Sequence, residues 1–204
     1  METKNTMSTL IEPKLAPPGA GIPWPQGLVL RFIIAPFIAG RTDWAVSEYR
    51  FKKLTAKIVA ELAGLSEKDL TTKILVPPQK GLEDSSRYWS VAMVLEHLVI
   101  VGKEISYAIT ELTSGRVPQG KADTATVKPI GTMSSLESVT EFKKFALQDY
   151  ESLVSMTKNK DSRLRFKHPW FGNITAKQWF WVLSIHHSLH LKQIREIKKR
   201  LLLL

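Results

Sequence analysis

The chain has 204 residues, 44% of them hydrophobic, a size and apolar content sufficient for one domain with its own core. It contains no cysteine, which excludes disulfides, thiolate metal sites and thiol nucleophiles, so any bound metal must be held by nitrogen or oxygen. Its formal net charge of +10 favours solubility and anionic partners but specifies no fold.

Residues 1–41 read as a Pro/Gly-rich tail, densest between Pro13 and Gly27, followed by a short apolar run from Leu28 to Ala39. Arg31 and Pro36 interrupt that run, and it falls short of the ~20 apolar residues that a membrane-spanning helix requires. It also lies too far along the chain for a secretory signal. No membrane span and a cytoplasmic location are therefore expected, with the apolar run packed against the domain or against a partner.

Residues 42–204 carry four amphipathic helical patterns. In the first, after Thr42, Trp44, Phe51, Leu54, Ile58 and Leu62 share a face, and Gly64 is the predicted stop. The second is N-capped by Ser90, carries Val94, His97, Val101, Ile105, Ala108 and Leu112 on one stripe, and ends at Gly115. The third opens with Ser134 and Glu137 in capping-box spacing and presents Val139, Phe142, Ala146, Tyr150 and Leu153. The fourth repeats that spacing with Thr175 and Gln178. It aligns Trp179, Leu183, His186, His190, Gln193, Ile197 and Leu201. No strand alternation of comparable length is present, and an all-α four-helix bundle is the economical architecture. The connections at 65–89, 114–133 and 158–174 exceed the roughly 2–8 residues usual between bundle helices. The second of them predicts either a crossover or a lid.

Two basic stretches stand out, one from Lys158 to Lys167 and one comprising Lys192, Arg195, Lys198, Lys199 and Arg200. The second complements the dipole at the end of the last helix. Both read most simply as solvated faces.

The chemistry-bearing pattern lies in five histidines. His186 and His190 are four apart on a helix, so their rings leave the same face about 6 Å apart along the axis, a spacing that chelates one ion. His97 sits on the core-facing stripe of the second helix, where an unpaired imidazole is costly to bury. A shared divalent metal would satisfy all three, and three protein ligands leave a position for water or substrate. The competing reading is three hydrogen-bonded core histidines. His187, rotated by about 100° from His186, is expected to face away as a surface or interface residue. His168 precedes Pro169 and is expected in an extended loop, edging a pocket or only supporting the loop.

The segment from Trp89 to Leu98, WSVAMVLEHL, resembles the opening of the second helix in the DinB-like superfamily of metal-binding bundles. His168-Pro169-Trp170-Phe171-Gly172, followed by Gln178-Trp179 and then His186, His190, Gln193 and Ile194, resembles one branch of it. The resemblance implies an up-down-down-up bundle and a metal held by His97, His186 and His190. Neutral imidazole suits zinc, nickel, copper and iron, of which zinc or nickel is expected first with iron compatible, and the resemblance implies a homodimer. The sequence departs from the branch at Leu189, where an extra histidine is common; here the additional one is His187.

These features point to a metal-dependent enzyme whose ion acts as a Lewis acid toward water or a low-molecular-weight thiol, as in a thiol-dependent transferase or a hydrolase. Gln193 is the candidate helper beside His190, and Glu104, two turns beyond His97, is a weaker one. Trp89, His168, Trp170 and Trp179 are candidate pocket residues, and a basic mouth would suit a small anionic substrate. Two alternatives remain. One is a non-catalytic protein using its basic patches on an acidic partner or nucleic acid, the latter disfavoured by the absence of familiar nucleic-acid motifs. The other is a purely structural metal joining two helices.

Overall fold

The computed structural model describes residues 12–203. Four long helical elements form the bundle. Helix α2 (Trp44–Glu61) follows an N-terminal helix, α1, that starts at Trp24–Val29 and continues with π geometry over Leu30–Ala39. A short helix α3 (Glu67–Thr71) precedes α4 (Val91–Thr113). Helix α5 (Ser135–Lys144) runs through a π turn (Phe145–Asp149) into α6 (Tyr150–Met156), and α7 (Ala176–Leu201) closes the fold.

The helix starts follow side-chain chemistry. Ser90 accepts the Met93 N–H at 3.2 Å and Ser134 accepts that of Glu137 at 3.2 Å, each satisfying a donor that the first turn leaves unpaired. The reciprocal bond expected from Glu137 does not form. At the start of α7, Gln178 Oε1 accepts the Thr175 N–H at 2.9 Å, while its amide donates to the Ala35 carbonyl at 2.7 Å. That second bond ties α1 to α7, so the N-terminal apolar run is packed on the bundle. Residues 1–11 of the predicted tail lie outside the described residues.

Contacts at the helix ends establish the directions. Trp44, at the start of α2, packs on Phe180 near the start of α7 with ring centroids 4.7 Å apart, and Glu61 at the end of α2 meets Arg195 and Lys198 near the end of α7. Those two helices are therefore parallel. The Ile130 and Gly131 N–H groups, just before α5, bond to Glu96 near the start of α4, whereas Asn159 and Ser162, beyond α6, bond to Thr113 and Leu112 at its end. Helix α4 and the α5–α6 element thus also run together. Ser86, just before α4, accepts from Gln193 in the second half of α7, whereas the 159–162 segment bonded to the end of α4 also accepts from Trp44, which packs near the start of α7; α4 and α7 are therefore antiparallel. The order is up-down-down-up, and the long connection after α4 is the return crossover.

The core lies between these layers, with Phe51, Ile58, Leu98, Ile109, Phe142, Phe145 and Ile194 sealed from solvent. Full burial of such side chains is worth about 1.5–3 kcal/mol each. Gly102 of α4 lets the π turn approach closely: a β-carbon there would collide with the Phe145 ring.

Two small antiparallel pairings complete the fold. Ile74–Leu75 (β1) pairs with Tyr88–Trp89 (β2), and Arg165–His168 (β3) with Gly172–Thr175 (β4). His168 therefore ends a hairpin strand and is not in an unstructured loop. Its ring Nδ1 accepts the N–H groups of Trp170 and Phe171 at 3.0 and 3.3 Å, closing the turn around Pro169.

Candidate metal centre

Helix α4 delivers His97, and α7 delivers His186 and His190 from one face four residues apart, so all three imidazoles meet at the α4–α7 contact. One ring nitrogen from each lies within 4.8 Å of the others, and the His186 and His190 Nε2 atoms are 3.0 Å apart. Two nitrogens bound to one zinc at about 2.0–2.1 Å in a tetrahedral arrangement stand roughly 3.4 Å apart, so small ring rotations suffice to place these three on a single ion.

Their orientation is set by neighbours. His97 Nδ1 is 2.7 Å from the Val127 carbonyl, which can only accept, so Nδ1 carries the proton and Nε2 keeps its lone pair. His190 Nδ1 likewise donates to Gln193 Oε1 at 2.7 Å, and the Gln193 amide donates to the Ser86 carbonyl at 2.7 Å. Two lone pairs are thus pre-aimed at the centre, the arrangement in which an outer partner fixes the tautomer of a metal-ligating histidine. His186 Nδ1 is buried without a partner, and its ring is held only through Nε2, 3.0 Å from that of His190.

Burial also selects the ligating protonation state. The His190 imidazole is pushed down to about 4 by burial, against the bond it donates to Gln193 and with help from the Lys128 ammonium. His97 and His186 are held well below the usual histidine range, by burial first and then by repulsion from neighbouring imidazoles. Neutral imidazole is the form that binds a divalent ion. The donor set, its aim and its charge state all fit a divalent metal ion.

Above the imidazoles opens a cavity of about 690 Å³. Val101, Ile105, Ile185 and Leu189 line its sides, α1 contributes Leu30 and Ile34, and the crossover after α4 roofs it between Pro118 and Lys128. The crossover is fixed to α4 by the Glu96 carboxylate, whose two oxygens accept the Ile130 and Gly131 N–H groups at 2.9 and 3.0 Å. Lys128 bridges from it to Glu83 at 2.5 Å and to Ser86 at 2.8 Å. The expected crossover and lid are one and the same segment.

Trp170, Trp179, His168 and the carboxylate-bearing Glu104 reach the cavity wall. Trp89 does not. It lies behind the ligands, its ring 5.0 Å from that of His97 and stacked at 6.3 Å on His190. Nor is the mouth basic, because Lys80, Lys121 and Lys128 on the lining are matched by Glu83, Glu104 and Asp123.

His187 requires a correction. It points away from the ligands, but into the core rather than to the surface: it is 0% exposed, with its ring 4.5 Å from Phe51 and 6.0 Å from Phe142. Helix α7 has structure on both sides, so a 100° rotation leads from one interior to another. Sequence reasoning missed the Val127 carbonyl and Glu96, and the only hint of them was the length of the crossover.

Fold and site together define a four-helix bundle with a buried three-histidine group able to hold a metal ion. No protein-family model matches the sequence. An uncharacterised protein, YuaE of Bacillus subtilis (strain 168), is 25% identical over 160 residues, spanning 69% of this chain and 90% of its own length. Among solved structures, the crystal structure of TT2238, a four-helix bundle protein, matches with a TM-score of 0.54 and 18% identity, covering 75% of this chain and 98% of that one. That likeness shows the shared fold.

Proposed function

We propose that the protein is a DinB-like metal-dependent enzyme in which His97, His186 and His190 hold one divalent ion, zinc or nickel in preference to iron, at the floor of the cavity. The observation that carries this reading is the convergence of three neutral, buried imidazoles beneath an open space, two of them with their outer nitrogens already bonded. An ion held there supplies a Lewis acid with an open position, the requirement for a thiol-dependent transferase or a hydrolase. Val127 and Gln193 position the rings, and the aliphatic walls exclude water from an apolar substrate body. Because the charges on the lining balance, the anionic end of a small substrate or thiol would lie toward the imidazoles and its apolar part along the walls. A homodimer belongs to the same proposal.

Elemental mass spectrometry on protein purified without an affinity tag tests the reading. Near-stoichiometric metal is expected in the wild type and is lost in His97→Ala, His186→Ala and His190→Ala. Absence of metal even after reconstitution would sink it. Cobalt-substituted protein separates catalysis from support: thiols or carboxylates should perturb its visible spectrum, whereas a closed structural site would leave the spectrum unchanged and metal removal would melt the bundle.

A further inference from the structure

Helix α1 buries only Ala35 and Ala39. Its outward side carries Trp24, Leu28, Phe32, Ile33 and Phe37, exposed by 76, 46, 61, 52 and 55% respectively. Isolated exposed apolar residues are ordinary, but a row of this size along one helix marks a binding face. A flank of the same helix contributes Arg31 and Pro36 to a cleft of about 460 Å³. Lys160, Arg163, Arg165 and Lys177 also line that cleft, against a single carboxylate, Asp161.

Among the described residues these five cations form no ion pair. Arg31 and Arg165 donate to the carbonyls of Pro169 and Asn173, and Lys160 lies over the Trp44 ring. The basic stretch at the end of α7 behaves differently: Arg195 and Lys198 share Glu61, and Arg200 pairs with Glu196. Five cations without an ion pair thus line one cleft beside the exposed apolar helix, and no acidic residue occurs from Trp24 to Thr42.

We infer that α1 and the adjoining cationic cleft form a docking surface for an anionic lipid bilayer. A helix from Trp24 to Ala39 is about 24 Å long, too short to cross the hydrocarbon core and interrupted by Arg31, so it lies in the plane of the interface. Its aromatic and aliphatic side chains enter the acyl boundary while Arg31, Lys160, Arg163, Arg165 and Lys177 meet headgroup phosphates. A second copy of the chain would cover the apolar row but add its own unpaired cations at the boundary. A nucleic acid would match the cations and leave Phe32 and Phe37 in water. An anionic bilayer meets both requirements. The inference is independent of the metal reading, since Phe32, Phe37, Lys160, Arg163 and Lys177 lie outside the cavity lining.

The test is co-sedimentation of the full chain with large vesicles of phosphatidylcholine alone and of phosphatidylcholine mixed equally with phosphatidylglycerol. Partitioning into the mixed vesicles should be at least about tenfold stronger and should weaken as salt is raised. Phe32→Gln with Phe37→Gln, and separately Lys160→Gln with Arg163→Gln and Lys177→Gln, should each lower it about tenfold or more. Circular dichroism and metal content should stay unchanged in both variants, showing that the fold is intact. Failure to bind the mixed vesicles overturns the proposal, including the case where the same face joins two copies in sedimentation velocity or captures an oligonucleotide. Equal binding to both vesicles, or binding that survives either variant, overturns it as well.

Discussion

His186 and His187 are consecutive residues of one helix, and they meet two different interiors. His186 faces the cavity with a ligand nitrogen 3.0 Å from that of His190 and its other nitrogen unpartnered. His187 faces the α2 and α5 side, where its Nδ1 lies 3.2 Å from the Leu183 carbonyl, its Nε2 is unpartnered, and Phe51 and Phe142 enclose the ring. Burial keeps both rings neutral. What separates a candidate ligand from a core residue is therefore whether other lone pairs converge on it, not its protonation state.

The strongest way to break this comparison is to truncate each partner. His186→Ala should weaken metal binding by more than about a hundredfold, beyond the 10–100-fold that outer hydrogen bonds alone contribute. His187→Ala should leave stoichiometry unchanged and lower the thermal midpoint. Competition with a chromophoric chelator and a melting curve read the two effects; metal loss in His187→Ala would undo the distinction. Next is Gly102→Ala, which drives a β-carbon into the Phe145 ring on the core side. Overpacking of this kind costs about 1–3 kcal/mol, and chemical denaturation should find the upper part of that range with metal stoichiometry retained.

A subtler change acts on the cavity side. Gln193→Leu removes the acceptor that holds His190 Nδ1, and metal affinity should fall about 10–100-fold with all three ligands in place. Unchanged affinity would mean that Gln193 serves only to bond Ser86. The effect that vanishes at neutral pH concerns acid. The His187 imidazole is pushed from 6.5 down to about 3 by burial. Above pH 6.5 it is neutral folded and unfolded; as pH falls below that value only the unfolded chain takes up the proton, so stability drops by about 1.4 kcal/mol per pH unit until about pH 3. His187→Leu should remove one such slope from the metal-free protein while remaining near neutral at pH 7. An acid limb of unaltered steepness in denaturation curves would contradict that origin.

The bundle was legible because helix faces repeat over many residues: the stripes through Phe51, His97 and Phe142 predicted the buried sides, and Ser90 and Ser134 marked two starts. The convergence of three imidazoles was legible from the four-residue spacing of His186 and His190 plus one buried imidazole opposite. The environment of His187 was not, since a one-face reading assumes that the far side of a helix meets water, and α7 is central. The β1–β2 and β3–β4 pairings are too short to show an alternation. Net charge, being a sum, could not say that Arg195, Lys198 and Arg200 are paired while, among the described residues, Lys160, Arg163 and Arg165 are not.

The crossover that roofs the cavity orients His97 through a backbone carbonyl, that of Val127. A carbonyl belongs to every residue type, so substitutions along this segment can reshape the roof while the histidine keeps its tautomer. The three histidines, by contrast, act through side chains on two helices and tolerate no such exchange. The three imidazoles and the segment that roofs the cavity above them are thereby set in separate parts of the chain.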